Sequence, residues 1–266
     1  MRTVRAKKSL GQHFLKDLGI ARQIAETLSG YRGLPVLEVG PGMGVLTRFL
    51  LEERHDLSVV EVDTESVAYL HQHLPELKGR IFAEDFLQLD LNSLYPQPGK
   101  FCIIGNYPYH ISSQIFFKAL EYKEQVVCCA GMLQKEVAER IAAPPGSRTY
   151  GIISALIQPW YDVEYLFTVS EQVFDPPPKV KSAVIRMTRN SRKVLECDET
   201  LYKKVVKTSF NQRRKTLRNS MKPVLGKEFP DYSLPIFDKR PEQLSVAEFV
   251  DLTVITERHL KSKTEK

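Results

Sequence analysis

Apolar positions along the chain fall into two regimes. Between residues 35 and 133, short runs rich in Val and Ile alternate with stretches of helical spacing, the pattern left by buried parallel strands and their crossover helices. Strands are expected at 36–39, 57–62, 80–83, 101–105 and 125–132, and helices at 44–53, 64–73, 112–121 and 134–142. Past Pro144-Pro145-Gly146, the residues Ile152, Ile153, Leu156 and Ile157 return to helical spacing, and 163–169 and 183–187 complete the sheet as a strand pair with an antiparallel member. The loop Phe174-Asp175-Pro176-Pro177-Pro178 is stiffened by its prolines and is expected at the sheet rim, as a wall of an active site. The class is α/β, a doubly wound sheet.

From about residue 191 the β-branched runs cease. Leu201, Val205 and Phe210 mark an apolar stripe against a basic face, and Pro223, Pro230, Pro235 and Pro241 cut the remainder of the chain into short helices ending near 246–260. A chain of 266 residues accommodates this division: residues 1–190 as an α/β domain, with 1–20 as a basic arm, and 191–266 as a small all-helical domain.

Charge sharpens the picture because it is unevenly placed. Arg2, Arg5, Lys7 and Lys8 stand in the first eight residues without an acid. Lys203, Lys204, Lys207, Arg213, Arg214, Lys215, Arg218 and Lys222 fall within 201–222, again without one, and the rest of the chain carries an excess of acids. Such a run suits a phosphate backbone, with Arg213, Arg214, Lys215 and Arg218 as candidate RNA contacts. Cys102, Cys128, Cys129 and Cys197 have no metal-ligand spacing and suggest no disulfide framework. No metal is expected. With no apolar leader and no run long enough to span a bilayer, a soluble, cytoplasmic protein is expected.

The chemistry concentrates at the strand ends. Val36-Leu37-Glu38-Val39-Gly40-Pro41-Gly42-Met43-Gly44 joins a strand to a helix through three glycines, which lets backbone approach a ligand at a helix N-terminus. Glu61 ends the next strand about twenty residues beyond the first glycine, where an acid meets a ribose. This pair fits a nicotinamide dinucleotide and S-adenosylmethionine equally. Asp85 at the third strand end is placed to accept an adenine amine, beside Phe86.

Gly105-Asn106-Tyr107-Pro108-Tyr109, at the end of the fourth strand, is more specific. An adenine exocyclic amine is a poor nucleophile because its lone pair is delocalised into the ring. Two acceptors, the Asn106 side-chain oxygen and the Pro108 carbonyl, favour a pyramidal nitrogen aimed at an electrophilic methyl group. Tyr109 offers a ring for an extruded base and Phe174 a second surface.

The sequence resembles the ribosomal RNA adenine dimethyltransferase family, with its small-subunit (KsgA) and macrolide-resistance (Erm) branches. The resemblance spans nearly the whole chain: Lys8-Ser9-Leu10-Gly11-Gln12-His13-Phe14-Leu15, Glu38 to Gly44, Glu61, Asp85, Asn106 to Tyr109, Phe174 to Val180, and the basic segment Phe210 to Arg218. It implies a Rossmann-like class I methyltransferase sheet with a small C-terminal all-helical domain. It also implies S-adenosylmethionine as cofactor, with S-adenosylhomocysteine as product, held by His13, Leu15, Gly40, Gly42, Glu61, Asp85 and Asn106. Asn106, Pro108, Tyr109 and Phe174 would then form the amine site. Tyr107, where an apolar residue is common, would narrow the pocket, and Lys181, where Asp is frequent, would add a phosphate contact.

The activity so implied is dimethylation of two adjacent adenosines in a 3′-terminal hairpin of 16S rRNA within the small ribosomal subunit, by a monomer, with a role in subunit biogenesis. The alternatives are an Erm-type enzyme acting on 23S rRNA and a non-catalytic ribosome-assembly factor. A nicotinamide dehydrogenase explains the glycine loop but leaves Asn106 to Tyr109 and the basic run without purpose.

Overall fold

A computed structural model describes Lys7 and residues 11–264. In chain order the first elements are β1 (Phe14–Leu15), α1 (Leu18–Glu26), β2 (Pro35–Val39), α2 (Val45–Glu52), β3 (Asp56–Val60), α3 (Thr64–His73), β4 (Ile81–Phe82), α4 (Leu91–Leu94), β5 (Phe101–Asn106), α5 (Ser112–Glu121) and β6 (Val126–Gln134). They are followed by α6 (Lys135–Ala142), α7 (Ile152–Ile157), β7 (Tyr161–Val169), β8 (Phe174–Asp175), β9 (Ser182–Arg189), α8 (Glu199–Asn211), α9 (Leu217–Ser220), α10 (Lys222–Leu225) and α11 (Val246–Thr264). Seven strands form one sheet in the order β4-β3-β2-β5-β6-β9-β7, while β1 and β8 pair separately. From β4 to β6 neighbours run parallel, and β9 lies antiparallel to β6.

The strands form where the apolar runs lie because nearly every residue of β5 and β6 is buried. Strands covered on both faces show continuous rather than alternating apolarity. Helices start where an Asp caps them: Asp17 accepts from Gly19 N and Ile20 N, Asp63 from Glu65 N, and Asp198 from Leu201 N. The expected strand at 80–83 is only Ile81–Phe82, at the sheet edge, where a single neighbour sustains a shorter ladder.

Two compact units emerge from the contacts. One holds the chain through Ala138 together with Asp162–Arg189; the other holds Glu139–Tyr161 and the chain from Asn190 onward. Residues 139–161 thus group with the C-terminal helices, whereas the division at 190 drawn from composition sets them apart. In the second unit the rings of Tyr150, Tyr202, Phe210 and Phe249 pack at centroid distances of 6.0–6.3 Å, and the Tyr202 hydroxyl donates to the Ala155 carbonyl. Pro230, Pro235 and Pro241 each open a short 3₁₀ turn, the position at which a missing N–H costs nothing. Among the described residues no helix is long and apolar enough to cross a membrane.

Tyr107, which lies in the wall of the cleft at the sheet edge, packs its ring down onto the sheet. It is 1% exposed, its hydroxyl donates to the Ala130 carbonyl at 2.6 Å, and its ring lies over two glycines on adjacent strands. A Cβ added at Gly131 would fall 2.6 Å from that ring, and one at Gly105 2.8 Å. Tyr107 thereby ties the segment after β5 to the sheet beneath. Gly131→Ala is expected to destabilise the protein by about 1–3 kcal/mol through overpacking, and Tyr107→Phe by about 1 kcal/mol through removal of its hydrogen bond. Urea denaturation of each variant checks both values.

Candidate active site

The parallel register of the first unit sets Glu38 opposite Val59 on one side and Ile104 on the other. The segments following β2, β3 and β5 therefore leave the sheet at one edge, the edge at which open α/β sheets bind ligands. A cleft opens there, and its wall includes Gly40, Gly42, Glu61, Asn106, Pro108 and Tyr109. His13 and Leu15, from the N-terminal segment, line it as well.

The glycine loop fits closely under that segment. Gly42 has φ +56°, and a Cβ there would meet the Phe14 ring at 3.1 Å. The Gly42 N–H donates to Glu61 Oε2 at 3.0 Å, and the Asp63 N–H donates to Glu61 Oε1 at 2.9 Å. These bonds orient the Glu61 carboxylate while leaving each oxygen further lone pairs for a ligand. Burial raises the Glu61 pKa, opposed by those same backbone N–H groups.

Asn106 is fixed by the segment just before β1. Its Nδ2 donates to the His13 carbonyl at 3.2 Å. A carbonyl oxygen can only accept, so the amide nitrogen must face it and Oδ1 is left as the acceptor toward the cleft. The Pro108 carbonyl already accepts from Ile111 N at 3.2 Å, which leaves it one lone pair. His13 Nδ1 lies 2.8 Å from the Pro176 carbonyl, so this nitrogen carries the ring proton, and the His13 ring sits 5.5 Å from that of Tyr109.

Not every expected site residue joins this group. Asp85 is exposed outside the cleft wall, where its Oδ1 accepts from Leu87 N to cap a turn. Phe174, expected to face a base, is 1% exposed and belongs to the core. The cause is strand pairing: β8 runs antiparallel to β1 with Phe174 opposite Leu15, which fixes this residue within the core. Arg213, Arg214 and Lys215 sit in the turn between α8 and α9 of the second unit. Arg213 donates to the Arg148 carbonyl and Arg218 pairs with Asp238 at 2.5 Å. Lys181 is exposed. Of the basic arm, Arg2, Arg5 and Lys8 lie outside the described residues, while Lys7 bridges to Asp63 at 2.5 Å. Burial pushes the Asp63 pKa up, but bonds from Lys7, Ser66 and Gln12 outweigh it and bring it below the usual carboxylate range.

The sequence pattern assigned no role of their own to two residues of the cleft. Val62 lines it beside Glu61 with 53% exposure. Glu38 lies in the wall at 1% exposure, with Oε2 lacking any partner, and burial pushes its pKa up to about 8. An acid inside the buried run Val36-Leu37-Glu38-Val39 was the available signal, since an unpaired carboxylate is seldom fully buried without a purpose.

The family model for ribosomal RNA adenine dimethylase matches residues 3–255. The ribosomal RNA small subunit methyltransferase A of Parabacteroides distasonis is 73% identical over 263 residues, covering 99% of this chain and 98% of that protein. The protein of the same name from Bacteroides thetaiotaomicron is 64% identical over 265 residues, with coverage of 99% and 98%. Among solved structures, a dimethyladenosine transferase from Plasmodium falciparum shares the fold with a TM-score of 0.77 at 22% identity, covering 93% of this chain and 98% of that one. The 23S rRNA methyltransferase ErmE matches with a TM-score of 0.66 at 26% identity, covering 90% and 98%.

Glu38 gives the site a pH signature. The folded state holds this proton more tightly than the unfolded chain, so its contribution to stability falls as pH rises from the ordinary carboxylate range toward 8. Thermal melts between those limits should show a slope that Glu38→Gln flattens, with the variant gaining most at the alkaline end. An unchanged slope in Glu38→Gln would locate the titrating group elsewhere.

Proposed function

Because the chain belongs to the ribosomal RNA adenine dimethylase family, we propose that its cleft binds S-adenosylmethionine and presents it to two adjacent adenosines of 16S rRNA in the small ribosomal subunit. The protein is an rRNA adenine dimethyltransferase with the Rossmann-like sheet of class I methyltransferases. Relatives with 73% and 64% identity named for the small subunit favour that substrate over 23S rRNA. The assignments to a 3′-terminal hairpin, to subunit biogenesis, to the cytoplasm and to a monomer belong to the same reading. So does the assignment of residues 191–266 to RNA binding.

The residues present fit the cofactor. Glu38 offers an orphaned carboxylate oxygen to an ammonium group, and Glu61 offers oriented oxygens to a pair of ribose hydroxyls. Gly40 and Gly42 give the backbone room for the amino-acid end, beside His13 and Leu15. Val62 supplies apolar surface for the purine. When bound, the cofactor supplies an electrophilic methyl group.

The observation that carries this reading is the fixed Asn106 amide on the wall shared with Glu61 and the glycine loop. Asn106 Oδ1 and the Pro108 carbonyl would each accept one N–H of the target amine. Engaging both N–H groups in this way tips the nitrogen toward a pyramidal shape and exposes its lone pair. A dimethylated product follows if the amine, after one transfer, still keeps an N–H for one acceptor. Tyr109 carries the stacked base, while Phe174 anchors the proline loop from the core.

Asn106→Ala should lower methyl transfer to undermethylated small subunits by about 100-fold or more, with only a modest change in cofactor affinity measured by calorimetry. Transfer at the parental rate would overturn the reading. Replacing Arg213, Arg214 and Lys215 by Ala should weaken subunit binding and reduce its salt slope by about one for each phosphate left without its cation, as read from binding titrations across a salt series.

A further inference from the structure

Ser182 opens β9 with no exposure, opposite Gln134 of β6 and directly before the buried run Ala183-Val184-Ile185. An apolar residue would serve the core equally well there. A buried hydroxyl costs about 1–3 kcal/mol unless it is paired, and this one is paired: Ser182 Oγ lies 2.6 Å from the Tyr109 hydroxyl. Tyr109 lines the cleft, and its ring is supported by the His13 imidazole at 5.5 Å, itself tied to the Pro176 carbonyl. Behind it, Ser112 Oγ donates to the Tyr109 carbonyl at 3.1 Å. Burial raises the Tyr109 pKa, so the phenol keeps its proton, and either hydroxyl can donate in this bond.

A tyrosine ring has two rotatable bonds, and a base stacks productively only if the ring plane is set. The backbone bond, the His13 contact and the Ser182 hydroxyl hold three parts of the residue: its root, its face and its tip. We propose that Ser182 is a positioning residue for the methyl-accepting base, pinning the Tyr109 hydroxyl so that the stacking plane is set before RNA arrives. This rests on the reading of Tyr109 as the base platform. Ser182 touches no reacting atom; it acts through Tyr109.

The test compares Ser182→Ala, Tyr109→Phe, the double variant and Tyr109→Ala on undermethylated small subunits, with kcat and KM separated and cofactor affinity measured by calorimetry. Ser182→Ala and Tyr109→Phe should each lower kcat by about three- to tenfold, the size of one hydrogen bond. Cofactor affinity should stay near the parent's in both, while Tyr109→Phe, which leaves the buried Ser182 hydroxyl without this partner, should melt about 2–4 °C lower. The double variant should lose no more than either single one, because both remove the same bond; a merely structural role for either residue would not give this. Tyr109→Phe keeps every ring contact, so it reads the bond even if Ser182→Ala folds poorly. Parental kcat in both single variants, with Tyr109→Ala impaired, overturns the proposal alone. A loss in Ser182→Ala that Tyr109→Phe does not share also overturns it. Parental kcat in Tyr109→Ala removes the platform reading and the proposal together.

Discussion

The site depends on the parallel pairing of β2 with its two neighbours. With Glu38 held between Val59 and Ile104, the glycine loop, Glu61 and Asn106 have to emerge at the same edge, within reach of one ligand. A slip of one residue in either ladder would turn every side chain to the other face. Nearly complete burial of β2, β5 and β6 resists that slip, because it would drive Glu38 into the core face and apolar residues into the cleft. The same burial leaves Glu38 with an unpartnered oxygen and a raised pKa.

On this edge the chain adds a second layer from distant sequence. The Gly11 to Leu15 segment packs Phe14 over Gly42, lends the His13 carbonyl to Asn106, and pairs with Phe174-Asp175 through β1 and β8. Lys7 and Gln12 reach Asp63, next to the Glu61 carboxylate. One short segment thus borders both the Glu61 carboxylate and the Asn106 amide. Asn106 would otherwise be free to turn its amide either way; the His13 carbonyl decides which atom faces the cleft. Tyr107, folded under the same turn against Gly105 and Gly131, fixes the backbone from the opposite side.

Most of the fold was legible because strands covered on both faces announce themselves as Val- and Ile-rich runs. β2, β5 and β6, and helices such as α3 and α5, lie where those runs and their spacing put them. Glu61 and Asn106 were legible for a related reason: polar residues at the ends of buried strands have few structural uses. The features that sequence pattern does not reveal depend on pairing across long separations. β1 has two residues and no period, and it exists only through β8, about 160 positions away. The burial of Phe174 follows from that pairing, and a proline-rich loop gives no hint of it. The grouping of 139–161 with the C-terminal helices likewise rests on contacts such as Tyr202 to Ala155, which composition does not record. Ser182 has the look of the head of an ordinary strand; its partner, 73 positions earlier, gives it meaning.

The central claim is that this cleft places methyl groups on the exocyclic nitrogen of adenine in small-subunit RNA. Its most direct test is the chemical identity of the product. Undermethylated small and large subunits would be incubated with the protein and S-adenosylmethionine, the RNA digested to nucleosides, and each methylated nucleoside identified by mass and fragmentation. The predicted product is adenosine bearing two methyl groups on its exocyclic nitrogen, from small-subunit RNA. Methylation on the ribose, on a ring nitrogen or on another base, or dimethyladenosine from large-subunit RNA alone, would contradict the claim.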